Sequence, residues 1–222
     1  IKLRQIHSGG ALSDGSLSNQ TVCKQRVVYG SKVDAALRLH NVFNGRPLQQ
    51  VFYFSSVASL LGSPGQAGYS AANAYLDSLS FSLQQSGLGA SSIQWGAWSG
   101  GGMATPKVLQ KLKRTGMGAV SPAIGLQALS TLASTLDPCA QALESIASVH
   151  CVNPFNWSKF LGNVIASSPF FSEFGEHISE TQPLSAQPRS DSISKANKAF
   201  KPDDIQMHVF EVTKSVLGKD VG

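Results

Sequence analysis

VFYFSSVASLLGSPGQAGYSAANAYLD, residues 51–77, decides how the rest of the chain is read. Its first four residues, Val51, Phe52, Tyr53 and Phe54, form an unbroken apolar run of the kind that makes a buried strand, expected over 49–55. Ser55 and Ser56 stand where that strand should end, and Gly62, Pro64, Gly65 and Gly68 punctuate the loop that follows. From about Gln66 an alanine-rich segment of high helix propensity begins, expected to run over 66–86. On that helix Tyr69 and Asn73 are four apart, so they leave the same face one turn from each other. A strand ending in serine, a turn, and a helix presenting Tyr and Asn can aim three hydrogen-bonding side chains at one point.

Outward from this stretch the pattern repeats. IKLRQIHSGG reads as a short strand, with Ile1, Leu3 and Ile6 apolar, running into a glycine turn at Gly9 and Gly10. Residues 18–43 are helix-compatible, with Gly30 read as a break between two pieces. In the second piece Lys32 sits just inside the start, and Val33, Ala36, Leu37 and His40 make a largely apolar stripe. Downstream, SSIQWGAW over 91–98 reads as the next strand. Strands joined by helical crossovers imply a parallel sheet covered by helices on both faces, an α/β Rossmann-like, doubly wound fold.

Ser56 lies thirteen residues before Tyr69, the serine-to-tyrosine spacing of short-chain dehydrogenases/reductases. That superfamily usually shows Tyr-x-x-x-Lys; here the fourth residue on is Asn73, and the lysine is upstream as Lys32. This exchange, with FSSVASLLGSPGQAGYSAANAYLDSL and SIQWGAWSGGGMA around it, resembles the ketoreductase domains of modular polyketide synthases and animal-type fatty acid synthases. The resemblance covers about residues 1–175 and implies reduction of a β-ketoacyl thioester by NADPH. It gives Tyr69 the role of proton donor, Lys32 that of a cation tuning Tyr69 and binding the nicotinamide ribose, Ser56 a hydrogen bond to the ketone oxygen, and Asn73 the orientation of Lys32 or a water. The implied cofactor surface takes in Gly9, Gly10, Lys32, Tyr69, Trp95 and Gly96.

Two further positions bear on stereochemistry under the same resemblance. Asp14 lies in ALSDG, where many ketoreductases show Leu-Asp-Asp, and Leu61 stands where the opposite stereochemical class carries Trp. Together they imply a (3R)-hydroxy product. No G-x-G-x-x-G occurs among the 21 glycines. The resemblance places that fingerprint ahead of Ile1, so the chain is expected to be the C-terminal, catalytic part of the domain and inactive in isolation. A reductase-like scaffold without activity and a free-standing dehydrogenase are the rival readings; the intact Lys32, Ser56, Tyr69 and Asn73 argue against the first, and the Lys/Asn exchange and the tail described below against the second.

After Trp98 the chain changes character. PKVLQKLKRTG reads as an amphipathic helix with Val108, Leu109 and Leu112 toward the domain, Gly116 as its stop, and Lys107, Lys111, Lys113 and Arg114 as a basic cluster. By resemblance it is the lid helix over the substrate. Ser121 and Pro122 open another helix, ESIASVHCV reads as a late strand, and Trp157 and Phe160 as a packing hook. Residues 176–200 have linker composition. Residues 201–222 carry Ile205, Val209, Val212 and Val216 on one helical stripe and resemble the first helix of an all-α acyl carrier protein. The implied partners are that carrier, whose phosphopantetheine arm would be attached beyond this chain, and other synthase domains.

The bulk numbers agree with a globular protein: 222 residues, 42% hydrophobic, 14% charged, net charge +5. No apolar run approaches the ~18 residues of a membrane span. The basic excess lacks the aromatic interleaving of a nucleic-acid surface. Cys23, Cys139 and Cys151 lack metal-ligand spacing and are expected to be reduced, packed thiols in a cytoplasmic protein, with His7 and Cys151 serving only packing.

Overall fold

The computed structural model describes residues 3–43, 45–135, 147–164 and 170–171. The linker expected over 176–200, the carrier helix expected over 201–222, and Cys139 lie outside the described residues.

Four strands, β1 (Leu3–His7), β2 (Leu48–Ser56), β3 (Gly89–Trp95) and β4 (Val149–Val152), form one sheet in chain order, every neighbouring pair parallel. Parallel neighbours require crossovers. The first is built from α1 (Val22–Tyr29), a five-residue π-helical turn (Gly30–Asp34) and α2 (Ala35–Phe43). The second uses α3 (Val57–Leu61) and α4 (Ala67–Gln85), and the third α5 (Pro106–Arg114) and α6 (Pro122–Thr135); α7 (Trp157–Val164) follows β4.

Side chains alternate across a strand, so β2 feeds two cores at once. Val51 and Tyr53 pack with Ala36, Leu76, Leu83 and Ala90, under α2 and α4. Phe52 joins Ile93, Trp95 and Val120, covered by Ala128, Leu129 and Leu132 of α6. Burial on both faces is why β2 reads as a continuous apolar run, and every residue of β3 is buried for the same reason. The doubly wound α/β reading therefore holds.

Several expectations need correction. Gly30 is no break: it has ordinary right-handed helical torsions and opens the π turn, so the chain stays helical from Val22 to Phe43. The wider turn inserts an extra residue and shifts the phase of everything around it. Lys32 and Val33 consequently point inward, while Leu37, assigned to the apolar stripe, is 38% exposed. Ser56 does not lead into a plain loop. Its hydroxyl accepts from the Ala58 amide at 3.2 Å and caps α3, a five-residue helix too short to show a period in sequence. β3 ends at Trp95, not Trp98.

On the α5 side, the expected seat for Val108 is missing. All nine residues of α5 are half-buried or exposed, and Val108 itself is 44% exposed. Thr105 caps its start and Gly116, at φ +87°, follows its end. Phe160 is buried as expected, but Trp157 is about half exposed and stacks on Phe155 at 4.6 Å. Cys23 and Cys151 are free thiols as expected, yet both are exposed and neither is a packed core residue. Among the described residues no helix is long and apolar enough to cross a membrane.

Candidate active site

The π turn is what delivers Lys32. Its side chain is 3% exposed, and its Nζ donates to the Phe54 carbonyl at 2.8 Å and the Gly9 carbonyl at 3.3 Å. A third N–H remains for another acceptor. His7 pins the turn from below: its Nε2 lies 3.1 Å from the Lys32 carbonyl, which requires Nε2 to carry the proton. Gly9 and Gly10 let β1 leave the sheet through this crowded space. A Cβ on Gly9 would meet the His7 ring and the Ser31 carbonyl at 3.0 Å, and one on Gly10 would sit 3.3 Å from Lys32 Cε.

Tyr69 lies in the first turn of α4, buried among Val28, Val33, Ala58 and Ala72. The Lys32 ammonium stands over its ring, 5.5 Å from the centroid. Burial raises the phenol's pKa, hydrogen bonding from Ser56 and Asn73 works against that rise, and the Asp14 charge adds to it. Burial also brings the Lys32 pKa down to about 8, against the opposite pull of the Asp77 carboxylate. At neutral pH the site therefore holds a protonated phenol beside a protonated amine.

Asn73 is fully buried, with Nδ2 donating to the Tyr69 carbonyl at 2.8 Å and Oδ1 left without a hydrogen-bond partner. Lys32 is oriented by the Phe54 and Gly9 carbonyls rather than by this amide. A buried acceptor without a hydrogen-bond partner is suited to an ordered water or a ligand hydroxyl.

The structure brings Lys32, Ser56, Tyr69 and Asn73 together with Gly9 and Gly10. Trp95 is packed away, its indole between Phe54 at 5.3 Å and Trp98 at 5.0 Å, with Nε1 unpartnered. Gly96 leaves room for the Asn153 side chain, which a Cβ would overlap. Asp14 is exposed and accepts from Gln66 Nε2 at 3.0 Å, while the neighbouring Gly15 amide donates to the Gly65 carbonyl at 2.8 Å. Leu61 closes α3 and, with Leu60, Phe155, Trp157 and Phe160, borders an apolar cavity of about 290 Å³.

Sequence reading missed three of these participants. In the sequence His7 reads only as packing, Gln66 as a helix start, and Asp77 as a helix residue without a role in the site.

Residues 5–100, which hold all four central side chains, match the family model described as the KR domain. The chain is 40% identical over 127 residues to the spectinabilin polyketide synthase system protein NorB of Streptomyces orinoci, covering 57% of this chain and 6% of that protein. It is 36% identical over 141 residues to the phenolphthiocerol synthesis polyketide synthase type I Pks15/1 of Mycobacterium bovis, covering 62% of this chain and 7% of that one. A solved A1-type ketoreductase aligns with TM-score 0.69 at 32% identity, over 79% of this chain and 36% of that chain. The first ketoreductase of the tylosin polyketide synthase aligns with TM-score 0.63 at 32% identity, over 74% and 34%. The architecture is thus that of a ketoreductase, and the sequence is similar to polyketide synthases. The chain spans a small part of each synthase and a minor part of each ketoreductase structure.

Proposed function

We propose that this chain carries the catalytic centre of a β-ketoacyl reductase in a polyketide or related fatty acid synthase, reducing a carrier-bound β-ketoacyl thioester to the β-hydroxyacyl thioester. One observation carries the reading: the π turn buries Lys32 over Tyr69, next to Ser56, although lysine and tyrosine lie on different crossovers.

NADPH, when bound, supplies the hydride. The residues present fit its nicotinamide end: a buried ammonium with a free donor, an orphan amide oxygen on Asn73, and a glycine pair beside them. Lys32, Tyr69, Gly9 and Gly10 would hold that end, with Gly96 at the end of β3. The geometry gives no comparable role to the Trp95 indole.

Charge develops on the ketone oxygen during reduction and needs a donor in place. Tyr69 gives its phenolic proton to that oxygen; a raised pKa keeps the proton on the phenol through neutral pH, as the reductive direction requires. Ser56 donates a second hydrogen bond to the same oxygen. Lys32 stabilises the phenolate left behind, and Asn73 holds a water or ligand hydroxyl near the ammonium. Asp14, tethered to Gln66 at the entrance, and Leu61, at the apolar cavity, select the face presented, giving the (3R) product. The acyl carrier protein and its phosphopantetheine arm bring the substrate.

The test is Tyr69→Phe in the full reductase, assayed with an unbranched β-ketoacyl thioester and the product resolved by chiral chromatography. Reduction should fall at least ~100-fold while NADPH affinity falls far less. A variant retaining a tenth of the wild-type rate ends the proton-donor assignment, and a (3S) wild-type product ends the role given to Asp14.

A further inference from the structure

Asp77 lies on α4, eight residues beyond Tyr69 and four beyond Asn73. Its carboxylate is where three elements meet. Ser92 of β3 donates to Oδ1 at 2.6 Å, while Ser59 of α3 and Gln94 of β3 donate to Oδ2 at 2.7 and 2.9 Å. Gln94 Nε2 also reaches Ser59 Oγ at 3.0 Å, which closes a triangle. Ser59 Oγ is also 2.8 Å from the Ser56 carbonyl, so its single hydroxyl proton is shared between that carbonyl and Asp77, and the brace reaches the first turn of α3, which Ser56 caps. Every contact made by the carboxylate is with a donor.

Charge points the same way. The ionisable side chains that interact with Lys32 among the described residues are His7 on β1, and Tyr69 and Asp77 on α4. Burial lowers the His7 pKa, so its imidazole is neutral at pH 7 and above. Tyr69 keeps its proton over the same range. Asp77 is the carboxylate whose field favours the protonated form of Lys32.

We propose, on the functional reading given above, that Asp77 is a positioning residue for this site: its carboxylate braces the Ser56 turn against the sheet and balances the charge of Lys32. Loss of the charge lowers the affinity of Lys32 for its proton and moves the alkaline limit of activity downward. Loss of the brace loosens Ser56 without changing the charge.

Asp77→Asn separates the two effects. The amide keeps the shape and an acceptor for Ser59 and Gln94, and the Ser92 hydroxyl can turn to accept from the new NH2. Carbon-13 lysine NMR on this chain, with the Lys32 signal identified by its loss in Lys32→Arg, should show the titration midpoint falling by roughly half a unit or more in Asp77→Asn. In the full reductase, kcat should fall about tenfold, ~1.4 kcal/mol, with KM little changed and the alkaline limb of kcat/KM displaced to lower pH. Ser59→Ala should lower kcat with the Lys32 midpoint unmoved. An unmoved midpoint in folded Asp77→Asn overturns the charge role, and a wild-type kcat in Ser59→Ala overturns the brace. The NMR titration needs no catalysis, so it stands even where Tyr69→Phe removes the functional reading.

Discussion

Helix α4 is wired into the sheet, whereas α5 only leans on its surroundings. Eight of the nineteen residues of α4 are buried, and its polar side chains are tied to neighbours: Asp77 to both β3 and α3, Ser80 to the Ser148 carbonyl at 2.9 Å. No residue of α5 is buried, and a cleft of about 460 Å³ opens between Leu109, Gln110 and Lys113 and the following Gly118 and Ala119. Both helices have an apolar stripe, so amphipathicity alone does not separate them. The difference lies in what each stripe meets. The polar side chains of the candidate site sit on the wired helix, and the loosely seated one has few buried contacts to hold it in place.

Deleting apolar bulk tests the contrast most directly. Leu76→Ala, at a fully buried position of α4, should cost about 2–5 kcal/mol in denaturant unfolding of this chain, while Leu109→Ala on α5 should cost under ~1 kcal/mol. Comparable losses would mean that α5 is anchored as firmly as α4.

Lys32 sharpens the comparison from the other side, because its burial costs stability. The folded chain gives up this proton near pH 8, the unfolded chain near 10.5. Below pH 8 the fold therefore carries the full penalty of a buried charge, and stability rises with pH between those two values. Lys32→Met should raise stability at pH 7 by about 1–2 kcal/mol, after allowance for the orphaned Phe54 and Gly9 carbonyls, and the advantage should shrink toward pH 10.5. A destabilised variant at pH 7 would show that the two hydrogen bonds outweigh desolvation.

The smallest effect belongs to α5. Lys107, Lys111, Lys113 and Arg114 are exposed. Reversing Lys111 and Arg114 to glutamate in the full reductase should raise the KM for a carrier-bound substrate a few-fold, leave a small thioester unaffected, and lose its influence in high salt. Equal effects on both substrates would give α5 a packing role instead.

Much of this was legible because the carrying signals are local. The apolar run before Ser55, the Ser56–Tyr69 interval and the alanine-rich helix fix β2 and α4 within two residues. What escaped was set by tertiary context. A π turn has no residue signature, so Gly30 read as a break and Leu37 as core. The stripe on α5 says which face is apolar but not whether a surface waits for it. Cys151, in a strand of mixed polarity, gave no hint that its side of the sheet edge is open. Asp77 escaped for a different reason: a single carboxylate on a helix reads as solvent-facing until the strand residues opposite are seen to be Ser92 and Gln94.

The π turn makes the site depend on a count as well as on identities. The Gly30–Asp34 segment holds one residue more than the α-helical path would use. Removing one there would let the stretch relax into continuous α-helix and turn one flank against the other by about 100°, taking the lysine away from the tyrosine. A coding sequence could keep every one of the four central residues and still lose their constellation through a single-codon deletion in this turn. Length, at this point in the chain, is itself part of what specifies the site.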